Sequence, residues 1–560
     1  MVAKIEGKKM KIDYVNGKVE VSFPYNPAWV DLIKNSTENR KWNPDRKVWV
    51  VGLSDIDLLL IPALKKANIP YLFSENYQKA FLKPKEQIKD FGLKYPLYPY
   101  QLEGANALYY NNNFGLFHDT GLGKTIMSIA TINKLYLESD LGDLKVLILC
   151  PSSLIQQWAD EIQKFSDLTY QIIEGTKEKR HFKWINGTNK LATITIANYE
   201  KIRVDEAPLK IDWDIIILDE STRIKNAKTK TTQRVKLLKS RRKWALTATA
   251  IENSVKDLFS LFDFLDDSIF NSWWKFKEQF LITELQSFGD KNFEVITGEK
   301  NIDILEQKIK PYYIRRLKQE VLPELPNYIE EKVYIELSAS EKHHYNYIKS
   351  IIEEKIMNIK DGDSDSFIGE LQLLRVLCNG EVCLKHSNTK NLDIVSKQND
   401  MSESSSKIEE IVILIKQLLQ NNQDKIIVFS DFTEPLFILA KRLEKEGIGH
   451  NLLYGGSDKA EELKEFKTNK ESRILLCQMK TGSYGLNLTE ANNIIFMNRP
   501  FNPAVEYQAI SRAHRNGQTK TVFIYYLITK NTIEEKIITM LNEKKEISNK
   551  IIKENYKLLL

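Results

Sequence analysis

FGLFHDTGLGKTIMSIATINKLYL, residues 114–137, joins an apolar run to a helical one through a glycine-rich turn. The first five residues have the unbroken apolarity of a strand buried on both faces. From Thr125 onward the apolar residues recur at helical spacing. A strand feeding a helix through such a turn is the setting in which backbone N–H groups can cradle phosphate oxygens. Gly121 and Gly123 allow that approach because neither has a Cβ to obstruct it. Lys124 is the candidate partner of the β- and γ-phosphates, and Thr125 the candidate Mg²⁺ ligand. His118 stands where the first glycine of GxxxxGK[ST] belongs, so the strand-helix context carries the reading more than the spacing does.

Working outward, the same alternation continues. VLILC is followed by SLIQQWADEIQKF; then come TITIA, DIIILDE and KWALTAT, and then VKDLFSLFDFL. Fully apolar runs separated by helices predict a parallel sheet covered on both faces. A second series begins after about residue 420: KIIVFS then EPLFILAKRLEKEG, HNLLYG, RILLCQ, NNIIFM then PAVEYQAISRAHRNG, and TVFIYYLI. Two α/β lobes with a nucleotide cleft between them are expected. The stretch between, roughly 270–420, reads as charged and mainly helical, with loops at DGDSDS and SKQNDMSESSSK. Ahead of the first lobe, alternation in KIDYVNGKVEVSF predicts a hairpin turning at Asn16-Gly17. PAWVDLIKNS predicts a short helix, and WNPDRKVWVV a Pro-Asp turn before another strand. TIEEKIITMLNEKKEISNKII at the end reads as a helix packed on a lobe.

Asp219 and Glu220 end the run DIIILDE, ninety-five residues after Lys124. A carboxylate at a strand's C-terminal end can hold Mg²⁺ through water, and its neighbour can orient and deprotonate an attacking water. Asp219 is therefore the second candidate metal residue and Glu220 the candidate base.

Composition bounds the alternatives. The chain has 560 residues, 42% hydrophobic and 28% charged, which is ordinary for a globular protein of three or four domains. No apolar run approaches the ~20 residues of a membrane helix, and the start MVAKIEGKKMKIDY has no signal-like apolar core. Four scattered cysteines make no disulfide framework and no zinc site; Cys378 and Cys383 read as ordinary thiols in a reducing, cytoplasmic setting. The net charge of +6 does not by itself announce nucleic acid, but residues 1–50 hold ten Lys/Arg against six Asp/Glu.

The ordered motifs from Tyr98 to Thr532 resemble those of a superfamily 2 ATPase of the Swi/Snf type. Pro99-Tyr100-Gln101 resembles the adenine-reading motif, CPSSLIQQWADEIQKF the CPxSLxxxWxxE block, and DESTRIKN the DESHxxKN motif. LTATAIENSVKDLFSLFDFL, YYIRRLKQEVLPELP (the brace between lobes), KTGSYGLNL and QAISRAHRNGQ resemble further blocks. The resemblance implies two RecA-like lobes, ATP and Mg²⁺ as cofactors, and Gln101 as the adenine reader. It implies a phosphate cradle of Asp119, Thr120, Gly121, Leu122, Gly123, Lys124 and Thr125. In the second lobe it implies Arg512 and Arg515 as arginine fingers on the γ-phosphate, with Gly485, Asn487 and Gln508 shaping the same face. Thr222, Ala248, Ala250 and Ser483 depart from the family's usual residues, which touches coupling more than hydrolysis.

A motor that steps along nucleic acid must hold the sugar-phosphate backbone, whose contacts carry no sequence information. By resemblance, Ser153, Asn198, Tyr199, Lys480 and Thr481 are the candidate contacts. Trp158 sits at a helical position suited to core packing, and Trp273-Trp274 read as packing too. VSFPYNPAWVDLIKNSTENRKWNPDRKVWVV, residues 21–51, resembles the HARP domain of annealing helicases through Phe23, Tyr25, Asn26, Pro27, Arg40, Trp42, Pro44, Lys47 and Trp49. Arg40, Lys41, Trp42, Arg46 and Lys47 are its candidate DNA contacts; Trp42 and Trp49 serve equally well as the core of a small domain.

The expected fold class is thus α/β, with two RecA-like parallel-sheet lobes and helical insertions behind a small α+β N-terminal domain. Expected boundaries are 1–84 for a junction-binding domain, 85–269 for lobe 1, 270–420 for protrusions and brace, 421–531 for lobe 2 and 532–560 for a terminal helix. The expected activity is ATP-dependent translocation on double-stranded DNA that remodels or anneals branched DNA, by a monomer in a bacterial or phage-infected cytoplasm. A strand-separating helicase, an ATP-gated DNA-binding scaffold and a nucleosome remodeller are the alternatives; no histone-reading module is recognisable for the last.

Overall fold

The structure, a computed structural model, describes residues 9–15, 18–37, 40–78, 86–139, 144–186, 192–250, 254–288, 291–358, 372–385, 405–421, 424–482, 486–539 and 541. They form two compact units. One runs to Thr283 and includes Ile296–Val321; the other takes Glu284–Val295 and Leu322–Glu546.

The first unit opens with a five-stranded sheet of β1 (Met10–Val15), β2 (Lys18–Ser22), β3 (Arg40–Asn43), β4 (Val48–Val51) and β5 (Tyr71–Phe73), in the order β3-β4-β2-β1-β5. β1 and β2 pair antiparallel from Val15↔Lys18 outward, as the alternation predicts, although Asn16 and Gly17 lie outside the described residues. The helix Pro27–Ser36 starts as its sequence requires: the Asn26 side chain accepts from the N–H groups of Ala28 and Trp29, and Pro27 takes the first turn. Met10, Ile12, Val21, Ile33, Val51 and Leu60 form the small core between sheet and helices.

Next in the same unit come β6 (Asn113–Leu116), β7 (Val146–Cys150), β8 (Tyr170–Ile172), β9 (Ile194–Asn198), β10 (Asp212–Asp219) and β11 (Lys239–Leu246). β12 (Leu281–Phe288) and β13 (Lys291–Glu299) pair as a ribbon, and β14 (Tyr313–Ile314) joins the large sheet beside β6. That sheet has seven strands in the order β14-β6-β11-β10-β7-β9-β8, its paired strands parallel.

In the second unit, β15 (Ile329–Ile335), β16 (Ile426–Ser430), β17 (His450–Leu453), β18 (Ile474–Gln478), β19 (Asn493–Phe496) and β20 (Phe523–Thr529) form a parallel sheet in the order β15-β20-β19-β16-β18-β17. Alternate residues of one strand enter different cores: Ile427 and Phe429 pack on one face, Ile426 and Val428 on the other. This is why the strands read as unbroken apolar runs.

The described residues of 270–420 are helical in greater part, as expected, but also carry β12 to β15. β14 and β15 are edge strands of the two large sheets; strands this short or this charged (IEEKVYI) lack the apolar run that marks a buried one. β8, with only Tyr170–Ile172, escaped notice for the same reason. All four cysteines are free and buried. The DGDSDS loop, most of the second polar loop and residues 542–560 lie outside the described residues; the chain is helical from 533 to 539.

Candidate active site

Strand register assembles the site. Asp219 at the end of β10 pairs with Leu246 of β11, and Leu246 pairs with Leu116 of β6. The ends of three neighbouring strands therefore lie in one row at the carboxyl edge of the sheet, where ligands bind in open α/β sheets. With strands ~4.8 Å apart, the origins of the glycine-rich turn and of the Asp-Glu pair are separated by roughly 10 Å. Between them Thr247 closes the row: its N–H donates to the Leu116 carbonyl (3.3 Å) and its Oγ1 accepts from the Thr249 N–H (3.1 Å). Ala248 and Ala250 are buried beside it.

The turn has the backbone its glycines predict, with φ of +83° at both Gly121 and Gly123. A Cβ on Gly123 would lie 2.6 Å from Gln101 Nε2, so this glycine answers a close approach as well as a positive φ. Gln101 is buried, donates to the Leu122 carbonyl (3.4 Å) and accepts from the Tyr98 N–H (3.1 Å). Lys124 Nζ donates to the carbonyls of His118 (2.7 Å) and Asp119 (3.2 Å), spanning the loop from beneath. Burial, with Lys124 and Arg316 adding, pushes the His118 imidazole well below its ordinary range and keeps it neutral. The Thr120 hydroxyl is buried without a hydrogen-bond partner among the described residues. A positive-φ loop, a cation under it and an orphaned hydroxyl, all opening the helix Lys124–Leu137, fit a polyphosphate.

A third segment holds this loop in place. Ile314 of β14 pairs with Leu116, the Asp119 N–H donates to the Arg316 carbonyl (3.0 Å), and Asp119 Oδ2 accepts from the Lys318 N–H (3.0 Å). Arg316 is ion-paired to Glu103. The first half of YYIRRLKQEVLPELP thus belongs to the phosphate loop, a role that its sequence, read as an inter-lobe brace, does not announce.

Asp219 is buried and gripped from three sides. Its Oδ2 accepts from Trp158 Nε1–H (2.8 Å), its Oδ1 from the Glu220 N–H (2.9 Å), and its main-chain oxygen from the Tyr199 hydroxyl (2.8 Å). Glu220 takes a left-handed conformation (φ +49°), turning the chain sharply at the strand's end. Trp158 is fully buried, as its helical position predicts, but it also orients the candidate metal carboxylate; only the indole N–H could have hinted at that. Burial, reinforced by the Asp219 charge, pushes the Cys150 thiol and the Tyr199 phenol well above their ordinary values. Tyr199 therefore corrects an expectation: its buried side chain is spent on Asp219 and does not face a nucleic-acid backbone. No cluster of three or more His, Cys, Asp or Glu suited to a metal occurs among the described residues. Thr125 and Asp219 alone fit Mg²⁺, which takes the rest of its shell from phosphate and water.

In the second unit, the helix Pro503–Ala513 carries Gln508 and Arg512 four residues apart, hence on one side. Arg499 fixes this helix through a buried two-pronged bond to Glu506 (2.7 and 2.6 Å). Arg515 Nη1 donates to the Leu486 carbonyl (3.2 Å), and the Arg512 carbonyl accepts from the Leu488 N–H (2.9 Å), which ties the arginines to the GLNL segment. Burial lowers the Lys459 ammonium below its ordinary value; Cys477 opposes that and Arg512 adds to it. Asn487 is exposed; Gly485 and the Lys480 side chain lie outside the described residues.

Among the candidate backbone contacts, Ser153 is exposed and Thr481 half-buried, its hydroxyl donating to Gln478 (3.3 Å). Asn198 is committed on both sides of its amide, capping the helix after it (Lys201 N–H, 3.1 Å) and donating to Ser152 (2.8 Å). In the N-terminal sheet, Lys41 and Lys47 are exposed, while Arg46 is ion-paired to buried Glu20 (2.7 Å) and Arg40 donates to the Thr37 carbonyl. Trp42 is 45% exposed and stacks at a tilt on half-buried Trp49 (5.3 Å), so only Trp49 serves the core. Trp273 packs on the lobe core, but Trp274 is 70% exposed, against the packing expected of it.

Comparison with known proteins agrees with this architecture. The SNF2-related domain matches residues 100–389 and the Helicase conserved C-terminal domain residues 406–517. The chain is 31% identical over 465 residues to an uncharacterized ATP-dependent helicase of Mycoplasma pneumoniae, covering 81% of this chain and 42% of that protein. It is 31% identical over 521 residues to the putative ATP-dependent helicase/translocase YwqA of Bacillus subtilis, covering 90% and 54%. It thus spans about half the length of these curated relatives. A solved Sulfolobus solfataricus SWI2/SNF2 ATPase core in complex with dsDNA is 27% identical, covering 84% of this chain and 95% of that one, at a TM-score of 0.40. The SNF2-related match alone takes in more than half of the 560 residues, and the chain belongs to the SNF2-related family.

Proposed function

We propose that this chain hydrolyses ATP with Mg²⁺ to translocate on double-stranded DNA, and that it remodels or anneals branched DNA of the replication-fork type. The observation that carries the ATPase reading is the row of strand ends that sets a phosphate-type loop and a braced Asp219-Glu220 pair side by side. The glycine-rich loop and Lys124 hold the polyphosphate, Gln101 reads the base, and Thr125 and Asp219 hold the metal. Bound Mg²⁺ supplies charge neutralisation at the phosphates. Glu220 orients the attacking water and takes its proton, while Arg512 and Arg515 neutralise charge developing on the γ-phosphate in the closed state.

Translocation is supported by family membership and by the name of the Bacillus subtilis relative. Action at branches is supported by the resemblance of residues 21–51 to a HARP domain and by the exposed Lys41, Trp42 and Lys47 at one edge of its sheet. The five-part division at 84, 269, 420 and 531, a monomeric state and a cytoplasmic setting belong to the same reading; no described helix is long and apolar enough to cross a membrane. Strand separation is the second reading, favoured by the helicase names of both relatives.

ATPase rates measured without DNA and with single-stranded, blunt duplex and forked DNA decide among these. Duplex and fork stimulation is expected. Stimulation by single strand alone would select the helicase, and no turnover with any DNA the ATP-gated scaffold.

A further inference from the structure

Two exposed tryptophans on different folding elements flank one junction between them. Trp42 lies on β3, the edge strand of the N-terminal sheet, and Trp274 on the helix Trp273–Phe280 of the lobe that follows. Asn271 Nδ2 donates to the Arg40 carbonyl (3.3 Å), linking the start of that helix to that strand. Lys18 pairs with Asp267 (2.7 Å), the Leu53 N–H donates to the Tyr312 hydroxyl (2.9 Å), and buried Lys308 and Asp55 stand 3.8 Å apart. The N-terminal sheet is thereby docked on the lobe and does not hang from it. Trp42 is two Cα steps from Arg40, and Trp274 three from Asn271. At ~3.8 Å per Cα step, the two tryptophans lie no more than roughly 30 Å apart.

Beside each tryptophan stand two lysines, with one exposed carboxylate nearby, Asp45 and Glu278 respectively. Lys41 and Lys47 flank Trp42 along the edge, and Lys277 sits 4.6 Å from the centre of the Trp274 ring, with Lys275 beside it. Burial raises the Asp267 carboxyl, but its bond to Lys18 and the charges of Lys18 and Lys41 hold it below its ordinary value. Lys277 lies over one face of Trp274 and Trp49 against one face of Trp42, which leaves each ring its other face. An exposed aromatic face beside an ammonium group matches an unpaired base on a phosphate backbone, since each base offers a stacking face and each phosphate a charge. Duplex DNA hides those faces.

We propose that Trp42 and Trp274, with Lys41 and Lys277, form one composite site for single-stranded DNA, spanning the N-terminal sheet and the lobe. It deepens the branched-DNA reading above, on which it rests for the source of the strand: the single-stranded arm of a fork.

The test measures binding of the full chain to fluorescent oligo(dT), to a blunt duplex and to a fork with a dT arm. Trp274→Ala is the informative variant, because a side chain this exposed can be removed without unfolding the lobe. It should weaken oligo(dT) and fork binding by roughly 5- to 100-fold and leave blunt duplex within twofold, with Trp274→Phe restoring most of the loss. Lys41→Ala should flatten the salt dependence of oligo(dT) binding by about 0.7 in log–log slope. Equal loss on blunt duplex would make this a duplex contact, and no loss on any DNA would make it a protein-docking face; either overturns the proposal. If forks bind no better than blunt duplex while Trp274→Ala still loses oligo(dT), the branched-DNA reading falls and this site stands.

Discussion

Replacing Trp158 by Phe keeps an aromatic ring in the core and removes the indole N–H that holds Asp219 Oδ2 at 2.8 Å. A hydrogen bond to a charged group contributes about 1.5–3 kcal/mol, so complete loss of its orienting effect would slow turnover by roughly 10- to 150-fold. The Glu220 N–H still holds Oδ1 at 2.9 Å, which places the expected loss nearer 10-fold. The smaller ring also leaves a void, costing about 1–3 kcal/mol of stability that must be read separately. Steady-state ATPase with saturating duplex, repeated across a Mg²⁺ titration and beside a thermal melt, resolves the two effects. The expected result is a lower kcat with half-saturation shifted to higher Mg²⁺, both persisting well below the melting temperature. A lower Tm with unchanged kcat and unchanged Mg²⁺ dependence would show that Trp158 only fills space, and the bracing account of Asp219 would be wrong.

Four further outcomes are expected. Lys124→Ala should abolish hydrolysis, whereas Glu220→Gln should bind ATP and fail to turn over; normal turnover in either removes it from the site. Arg512→Ala and Arg515→Ala should lower kcat by at least tenfold more than they raise KM, because they act on the transition state; a change confined to KM would make them ground-state ligands. Burial raises Asp266 above its ordinary 3.8 despite the bonds it accepts from Ser268, so its ionised form destabilises the fold once the pH exceeds that value. Asp266→Asn should therefore raise Tm at pH 7, with the gain shrinking towards zero near pH 4; a pH-independent difference counts against it. Arg40, Lys41 and Lys47 replaced together by Ala should weaken fork binding and flatten its salt dependence by about 0.7–0.9 per lost phosphate contact; fork binding equal to the parent's rejects the junction reading. Arg46 is better left in place, since its loss strands buried Glu20.

The lobes were legible because their strands are apolar on both faces, so HDTGLGKT and DIIILDE could be placed at strand ends before any coordinates. β14 and β15 were not, since an edge strand needs neither length nor continuous apolarity when half its neighbours are missing. The glycine-rich turn and the Asp-Glu pair were legible as neighbours at one sheet edge, but their partnerships were not. Trp158 and Tyr199 carry the patterns of a core helix and a strand end, and nothing in their spacing shows that both point at Asp219. Likewise, the docking of the N-terminal sheet through Leu53–Tyr312 and Lys18–Asp267 joins residues some 250 positions apart. Removing residues 1–84 would uncover that junction, which makes point variants the sounder probe.

The chain leaves the first large sheet at Ile314 and enters the second at Ile329, and of the fourteen residues between them Arg316 and Lys318 still hold Asp119. At one end β14 is held by two residue pairs; at the other β15 is held by seven along its length. The shorter strand is the one next to the phosphate loop, since its Ile314 pairs with Leu116. The same few residues thus end one sheet and shape the turn before the helix Lys124–Leu137, so a change made within 314–318 would be felt at the glycine-rich loop.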